Sequence, residues 1–105
     1  MTEKHWKQVA TLDEINEDDT HRVDVGEHAI CLYRLDGTVY ATQDVCTHGK
    51  ANLSDGMVLD GGLIECPLHE GTFDIRTGAA VGAPCKVALS CFAVRVEGQD
   101  VMVSL

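Results

Sequence analysis

The 105-residue sequence contains no apolar run near the roughly 20 residues that a membrane-spanning helix needs, so no transmembrane segment is expected. Basic residues are scarce: eight lysines and arginines face seventeen acidic residues, for a formal charge of −9. A surface that binds nucleic acid or anionic lipid needs surplus positive charge, so neither partner is expected. The opening MTEKHWKQVA lacks the apolar core of an export signal, and we expect a cytoplasmic protein.

Cysteine is present in an odd number, five, which argues against a secreted disulfide framework. In a reducing compartment, clustered cysteines more often bind metal or take part in redox chemistry. The acidic surface either steers the protein towards basic partners or only keeps it soluble. The length predicts one domain over residues 1–105.

Short segments separated by turn signals predict an all-β fold. Asp36-Gly37 and Gly61-Gly62 mark two tight hairpins, and Thr11 to Glu14 has the form of a capping box with one short helical turn. The strands are predicted over residues 5–10, 21–25, 29–35, 38–44, 57–59, 63–65, 72–75, 87–96 and 101–105.

Two fragments pair a cysteine with a histidine: Cys46 with His48, and Cys66 with His69. Seventeen residues that include the Gly61-Gly62 turn separate His48 from Cys66, so two neighbouring loops can face each other at one end of the domain. Two thiolates with two imidazoles suit either zinc or an iron–sulfur centre. A zinc finger usually groups its cysteines and its histidines separately, whereas here each loop contributes one of each. That arrangement favours a binuclear centre.

The stretches ATQDVCTHG, LSDG, ECPLHEGTFD and RTG, followed by Gly82-Ala83-Pro84, resemble the Rieske ferredoxins of bacterial aromatic-ring-hydroxylating dioxygenase systems of the naphthalene and biphenyl type. The resemblance covers nearly the whole chain. It implies one [2Fe–2S] cluster per chain, with Cys46 and Cys66 on the inner iron and His48 and His69 on the outer iron.

The same resemblance implies a Rieske fold: an antiparallel β-sandwich base with a small cluster-binding subdomain of two hairpin loops. The cluster-binding loops are expected at about 45–51 and 66–71, under a covering proline loop at about 81–85. Gly49, Leu68 and residues 82–84 are expected to shape the surface that redox partners contact.

A low reduction potential is expected, near −150 mV in a family range of about −150 to +300 mV. High-potential relatives carry an extra cysteine in each loop, where this chain has Ala51 and Leu68. They also carry a serine and a tyrosine that donate to cluster sulfurs, where this chain has Gly71 and Phe73. Each missing donor lowers the potential, because a hydrogen bond to a charged group contributes about 1.5–3 kcal/mol.

The resemblance implies an electron carrier and no catalytic residue, because 105 residues leave no room for a mononuclear iron domain. A flavin-containing, NAD(P)H-dependent reductase would supply electrons. A terminal oxygenase with its own Rieske centre would accept them at the edges of His48 and His69. The carrier is expected to be a monomer. Two alternatives are a zinc-stabilised binding module without redox activity and the small Rieske-like subunit of a nitrite reductase.

The remaining cysteines and histidines are predicted to have no ligand role. Cys31 and Cys91 lie in apparent strands and are expected in the core. Cys85 follows Pro84 and is expected to neighbour the cluster without binding it. Surface positions are expected for His5, His21 and His28.

Overall fold

The computed structural model describes residues 5–47, 49–68 and 70–105. This part of the chain forms eleven strands and two 3₁₀ turns, which confirms the all-β prediction. The strands are β1 (Trp6–Thr11), β2 (Thr20–Val25), β3 (His28–Leu35), β4 (Thr38–Gln43), β5 (Met57–Leu59), β6 (Leu63–Glu65), β7 (Thr72–Asp74), β8 (Ala80–Gly82), β9 (Cys91–Phe92), β10 (Val94–Glu97) and β11 (Asp100–Ser104). The 3₁₀ turns span Leu12–Glu14 and Leu53–Asp55. No helix in the described ranges is long and apolar enough to cross a membrane.

The described strands form three antiparallel sheets, in the orders β1-β11-β10, β2-β3-β4-β9 and β5-β6-β7-β8. The Asp36-Gly37 turn joins β3 to β4 with both residues at positive φ, 51° and 78°. Positive φ at both central residues matches the right-handed twist of the flanking strands, which explains the Asp-Gly choice. The predicted Gly61-Gly62 turn likewise joins β5 to β6.

β3 is the central strand because both of its faces are buried. Ile30 and Leu32 pack in one hydrophobic core, whereas Cys31, Tyr33 and Leu35 pack in the other. This division follows from the alternation of side chains along a strand. The first core lies with residues of β1 and β11, and the second lies with residues of β6 and β7. The β2-β3-β4-β9 sheet therefore contributes to both cores.

The prediction of one strand over 87–96 is wrong. Only Cys91–Phe92 and Val94–Glu97 are strands, and residues 86–90 are irregular. The backbone N–H of Leu89 donates to Gly78, and that of Ser90 donates to the Gln43 side chain. These partners lie on separate segments, so no single strand can pair with this stretch.

Two smaller predictions also differ from the structure. Ala80–Gly82 forms β8, which was not predicted. A strand of three residues that pairs with a register shift is too short to show an alternating sequence pattern. Cys31 is fully buried as predicted, but Cys91 is exposed. Cys91 lies in β9, which among the described strands pairs with β4 alone and forms the edge of its sheet. One side of an edge strand is open to solvent.

Candidate metal centre

Two short loops of the same shape carry Cys46 and Cys66. Cys46 follows β4, and its backbone N–H donates to the carbonyl of Ala51 at 2.9 Å. Cys66 follows β6, and its backbone N–H donates to the carbonyl of Gly71 at 2.7 Å. In both loops the bond reaches from the cysteine to the residue five positions later. The two cysteine loops, 46–51 and 66–71, are therefore closed at their base in the same way.

The two cysteine loops contact each other. A Cβ atom added to Gly49 would lie 2.9 Å from Cδ2 of Leu68, so only a glycine fits there without displacing Leu68. At the base of the loops, Cys46 and Cys66 are 3% and 0% exposed. Burial raises the pKa of the Cys66 thiol, and a hydrogen bond with the Cys46 side chain raises it further. The two predicted sulfur ligands therefore lie side by side inside the protein.

A third cysteine lies against this pair. Cys85 is buried, and a side chain at Gly71 would overlap its sulfur. Burial raises the pKa of Cys85 to about 11, and the negative charge of a Cys46 thiolate and a hydrogen bond with the Cys46 side chain add to this shift. The segment of residues 82–85 thus contacts the second cysteine loop through Pro84 and Cys85.

The other two predicted ligands, His48 and His69, lie outside the described residues. Within the ranges that are described, no group of three or more histidine, cysteine or acidic side chains could hold a metal ion. The structure therefore brings together the two sulfurs of the predicted set. The histidine half of that set stays a prediction.

The sulfur pair fits a metal cluster better than it fits free thiolates. The site is enclosed by apolar side chains of the same core, namely Leu53, Ile64, Phe73 and Leu89. A buried negative charge is costly unless a cation compensates it. Iron bound by both sulfurs supplies that compensation, and cysteine thiolates are its usual ligands in iron–sulfur proteins. No disulfide is present among the described cysteines, so both sulfurs are free to bind.

Asp44 was not predicted from the sequence as a site residue, yet it supports the base of the first cysteine loop. Its side chain is fully buried, and Oδ1 accepts a hydrogen bond from the Ser54 backbone at 2.8 Å. Its own carbonyl accepts from the Leu53 N–H at 2.7 Å. The position two residues before Cys46 was the only sequence signal, and it does not distinguish a buried aspartate from an ordinary turn residue.

The sequence also did not reveal how residues 86–90 attach to the first cysteine loop. The Gln43 side-chain amide donates to Val45 at 2.7 Å and accepts from the Ser90 N–H at 2.8 Å. The Thr47 hydroxyl donates to the carbonyl of Val87 at 2.6 Å. These three bonds are called here the Gln43–Thr47 clamp. The bonds to Val87 and Ser90 hold residues 86–90 against the first cysteine loop.

Comparisons with known proteins agree with this site. A family model for the Rieske [2Fe-2S] domain matches residues 5–93. The chain is 47% identical over 105 residues to the ferredoxin component of the naphthalene 1,2-dioxygenase system of Pseudomonas aeruginosa, covering 100% of this chain and 99% of that one. It is 38% identical over 98 residues to the biphenyl dioxygenase ferredoxin subunit of Pseudomonas sp. (strain KKS102), covering 93% and 90%.

Solved structures that include ferredoxins also superpose closely on this chain. The ferredoxin of Sphingomonas yanoikuyae B1 superposes with a TM-score of 0.90 at 34% identity, covering 96% of this chain and 99% of that one. A chain from the complex of reduced oxygenase and oxidized ferredoxin in carbazole 1,9a-dioxygenase superposes with a TM-score of 0.88 at 40% identity, covering 97% and 94%.

The chain belongs to the Rieske [2Fe–2S] family, and its cofactor is a cluster of that type. Within that family it is a ferredoxin similar to the components of naphthalene and biphenyl dioxygenase systems, an electron carrier and not a catalytic enzyme. The zinc-stabilised alternative is therefore wrong. A chain described as an NADH-dependent nitrite reductase small subunit, from Mycobacterium tuberculosis, superposes with a TM-score of 0.86 but at 22% identity, which shows a common fold alone.

Proposed function

We propose that this protein carries single electrons from an NAD(P)H-dependent flavoprotein reductase to the terminal oxygenase of an aromatic-ring dioxygenase or hydroxylase system. The observation that supports this most directly is the 40% identity to a chain of the carbazole 1,9a-dioxygenase oxygenase–ferredoxin complex, over 97% of this chain. The ferredoxin components of several dioxygenase systems match over nearly full length as well. The reductase is implied by the family resemblance. A monomeric state and a cytoplasmic location are further parts of this proposal.

The cluster ligands in this proposal are Cys46 and Cys66 on one iron, and His48 and His69 on the other. The matched closure of the two cysteine loops and the adjacent buried sulfurs support the cysteine half. A bound cluster of this kind supplies reversible one-electron oxidation and reduction. We propose further that residues 1–105 form a single domain, which is supported by a central sheet that contributes to both cores.

The change of burial along the two cysteine loops indicates the side from which a redox partner approaches. Cys46 and Cys66 face the core, whereas Lys50, Pro67 and Glu70 at the outer parts of the loops are exposed. The core side is filled by protein, so a redox partner would approach from the exposed outer parts of the loops that the structure describes. The exposed residues there, together with Ala83, Lys86 and Val87, form what we call the docking surface. Electron-transfer contacts of this kind are usually small and short-lived.

The docking surface differs in charge from the rest of the molecule. Segments 45–51, 66–71 and 81–87 contain Lys50, Lys86 and Glu70 as their charged residues, which leaves a formal charge of +1. Because the whole chain has a formal charge of −9, the residues outside these segments carry −10. The acidic body can attract a basic partner from a distance. The lysines at the docking surface favour a final contact with a partner patch that contains acidic groups.

The ligand assignment and the function are tested together with the purified reductase and oxygenase of a dioxygenase system. Cys46→Ser, Cys66→Ser and His48→Ala should lose the Rieske absorption and electron paramagnetic resonance spectra. Cys91→Ser should keep them, because Cys91 is exposed and lies in β9. The unmodified protein should pass electrons to the oxygenase in stopped-flow experiments. Zinc in place of iron and acid-labile sulfide, or no transfer to any oxygenase, would overturn the proposal.

A further inference from the structure

Gly71 and Cys85 occupy one shared space beside the sulfur pair. A Cβ atom built on Gly71 would overlap the Cys85 sulfur and would also lie 3.3 Å from both Cys85 N and Pro84 Cδ. A serine at position 71 and a cysteine at position 85 therefore cannot both keep their places. The glycine is required here by the neighbouring side chain, because its backbone is not at positive φ.

The Cys85 thiol also lies close to the two predicted sulfur ligands. Cys46, Cys66 and Cys85 belong to one buried cluster, and Cys85 is 7% exposed. The Cys85 sulfur lies beside Gly71, whose carbonyl accepts the Cys66 N–H at 2.7 Å. A hydrogen bond with the Cys46 side chain is one cause of the raised pKa of Cys85. The Cys85 backbone N–H is used elsewhere, donating to Gly82 at 3.2 Å. The thiol is therefore the part of Cys85 that faces the sulfur pair.

We propose that Cys85 is a positioning residue that tunes the cluster: its thiol takes the space left free at Gly71 and donates an S–H hydrogen bond to the Cys46 sulfur. This inference rests on the proposed role of Cys46 as a ligand. A donor to a ligand sulfur stabilises the reduced form, which carries one more negative charge. Because a thiol is a weaker donor than a hydroxyl, Cys85 restores only part of the effect that a serine donor would have.

Single substitutions separate the hydrogen bond from packing. Cys85→Ala and Cys85→Val remove the donor, and each should shift the reduction equilibrium about threefold towards the oxidised form, or about 28 mV downwards. Cys85→Ser keeps a donor, so its midpoint should equal or exceed that of the unmodified protein. Cys91→Ala, at an exposed cysteine, should leave the midpoint unchanged. Unchanged midpoints in both the alanine and valine variants, or a serine variant as low as alanine, would overturn the proposal.

A double variant tests the shared space. Gly71→Ser alone should lower the thermal midpoint, because the new Cβ overlaps the Cys85 sulfur. Adding Cys85→Ala should restore stability and let the serine hydroxyl act as donor, shifting the reduction equilibrium about tenfold, or 59 mV, above that of Cys85→Ala alone. If the two substitutions are additive in thermal stability and in midpoint, the shared-space account is wrong.

Failure of this inference is distinguishable from failure of the proposed function. If Cys46 is not a ligand, Cys46→Ser keeps the Rieske spectrum. If Cys46 is a ligand but Cys85 does not donate, Cys46→Ser loses the spectrum while Cys85→Ala leaves the midpoint where it was. Resonance Raman spectra provide a second readout, because the Fe–S(Cys) stretching band should shift in Cys85→Ala and in deuterated buffer.

Discussion

Arg22 Nη1 lies 3.5 Å from Oδ2 of Asp44, and this ion pair joins the protein surface to the base of the first cysteine loop. The Arg22 side chain is 41% exposed, whereas the Asp44 side chain is 0% exposed. Within the described part of the chain, Oδ2 accepts no hydrogen bond, so the arginine charge is its compensation. Oδ1 is used differently, as the acceptor for the Ser54 backbone. One carboxylate thus fixes both the strand end and the turn that follows the loop.

Asp44→Ala is expected to lower the free energy of unfolding by about 1–3 kcal/mol, because it leaves the half-buried Ser54 N–H without its partner. Urea denaturation of the cluster-free protein measures this effect. Asp24→Ala is the matched control, since Asp24 also pairs with Arg22, at 3.2 Å, but is itself exposed. That control should change stability by less than about 0.5 kcal/mol. Equal losses in the two variants would show that burial of Asp44 is not what makes it important.

Phe73→Tyr is expected to raise the reduction potential if the new hydroxyl reaches a cluster sulfur. Phe73 is fully buried in the core that contains Cys46 and Cys66. A hydrogen bond to a charged group of about 1.5–3 kcal/mol corresponds to roughly 65–130 mV for one electron. Protein-film voltammetry would measure the shift from a starting value expected near −150 mV.

Phe92→Tyr is the control for this substitution, because Phe92 packs against the other core. It should leave the potential unchanged. A wild-type midpoint above about +100 mV would contradict the expected low potential. An unchanged midpoint in Phe73→Tyr would place position 73 out of hydrogen-bonding reach of the sulfurs.

Much of the fold was predictable from local signals, because those signals act over a few residues. Asp36-Gly37 fixes a hairpin by its backbone preference, and the alternation along β3 assigns its side chains to two faces. The two cysteines were predictable as a pair because each follows a strand and opens a short loop. Cys46 and Cys66 are adjacent only in the folded protein, where the hairpin turn between them brings their loops together.

The remainder depends on contacts between residues far apart in the sequence. Residues 86–90 look like part of a strand, yet Val87 and Ser90 bond to the Thr47 and Gln43 side chains, which lie 40 and 47 positions earlier. Leu89 bonds instead to the carbonyl of Gly78. No local pattern identifies such partners. The same holds for Gly71, whose lack of a side chain is explained only by the Cys85 sulfur beside it.

Electron transfer to a redox partner is expected to slow as salt rises, because a formal charge of −9 attracts a basic partner over distances that salt screens. Stopped-flow rates across ionic strength measure this dependence. The position of the charge is tested by Lys86→Glu, which changes the formal charge from −9 to −11 at the docking surface. This variant should slow transfer severalfold although its net charge is more negative.

Lys7→Glu makes the same change of net charge at an exposed residue of β1, outside the three docking segments. Its transfer rate should match or exceed that of the unmodified protein. Equal rates in the Lys7 and Lys86 variants would mean that only the net charge acts. A rate that does not depend on salt would leave the acidic surface as a solubility feature.

The Gln43–Thr47 clamp is expected to control how long the protein keeps its cluster. Gln43→Leu removes the side-chain bonds to Val45 and to the Ser90 N–H, whereas the backbone N–H of Gln43 still donates to the Ser90 carbonyl at 2.9 Å. Residues 86–90 should therefore open more often and expose the adjacent loop. The cluster absorbance should then decay severalfold faster in the presence of an iron chelator. The Ser90 amide should also exchange with deuterium faster. Thr47→Val, which loses the bond to Val87, should show a smaller effect in the same direction.

Gln8→Leu is the control for the clamp, because the Gln8 amide bonds to Asp100 at 2.9 Å on the exposed face of the β1-β11 pair. It removes one glutamine hydrogen bond of similar length from a different sheet. Its cluster lifetime should equal that of the unmodified protein. If Gln43→Leu has the same lifetime as Gln8→Leu, residues 86–90 do not limit access to the sulfur pair. The cluster would then be lost by opening of the two cysteine loops themselves.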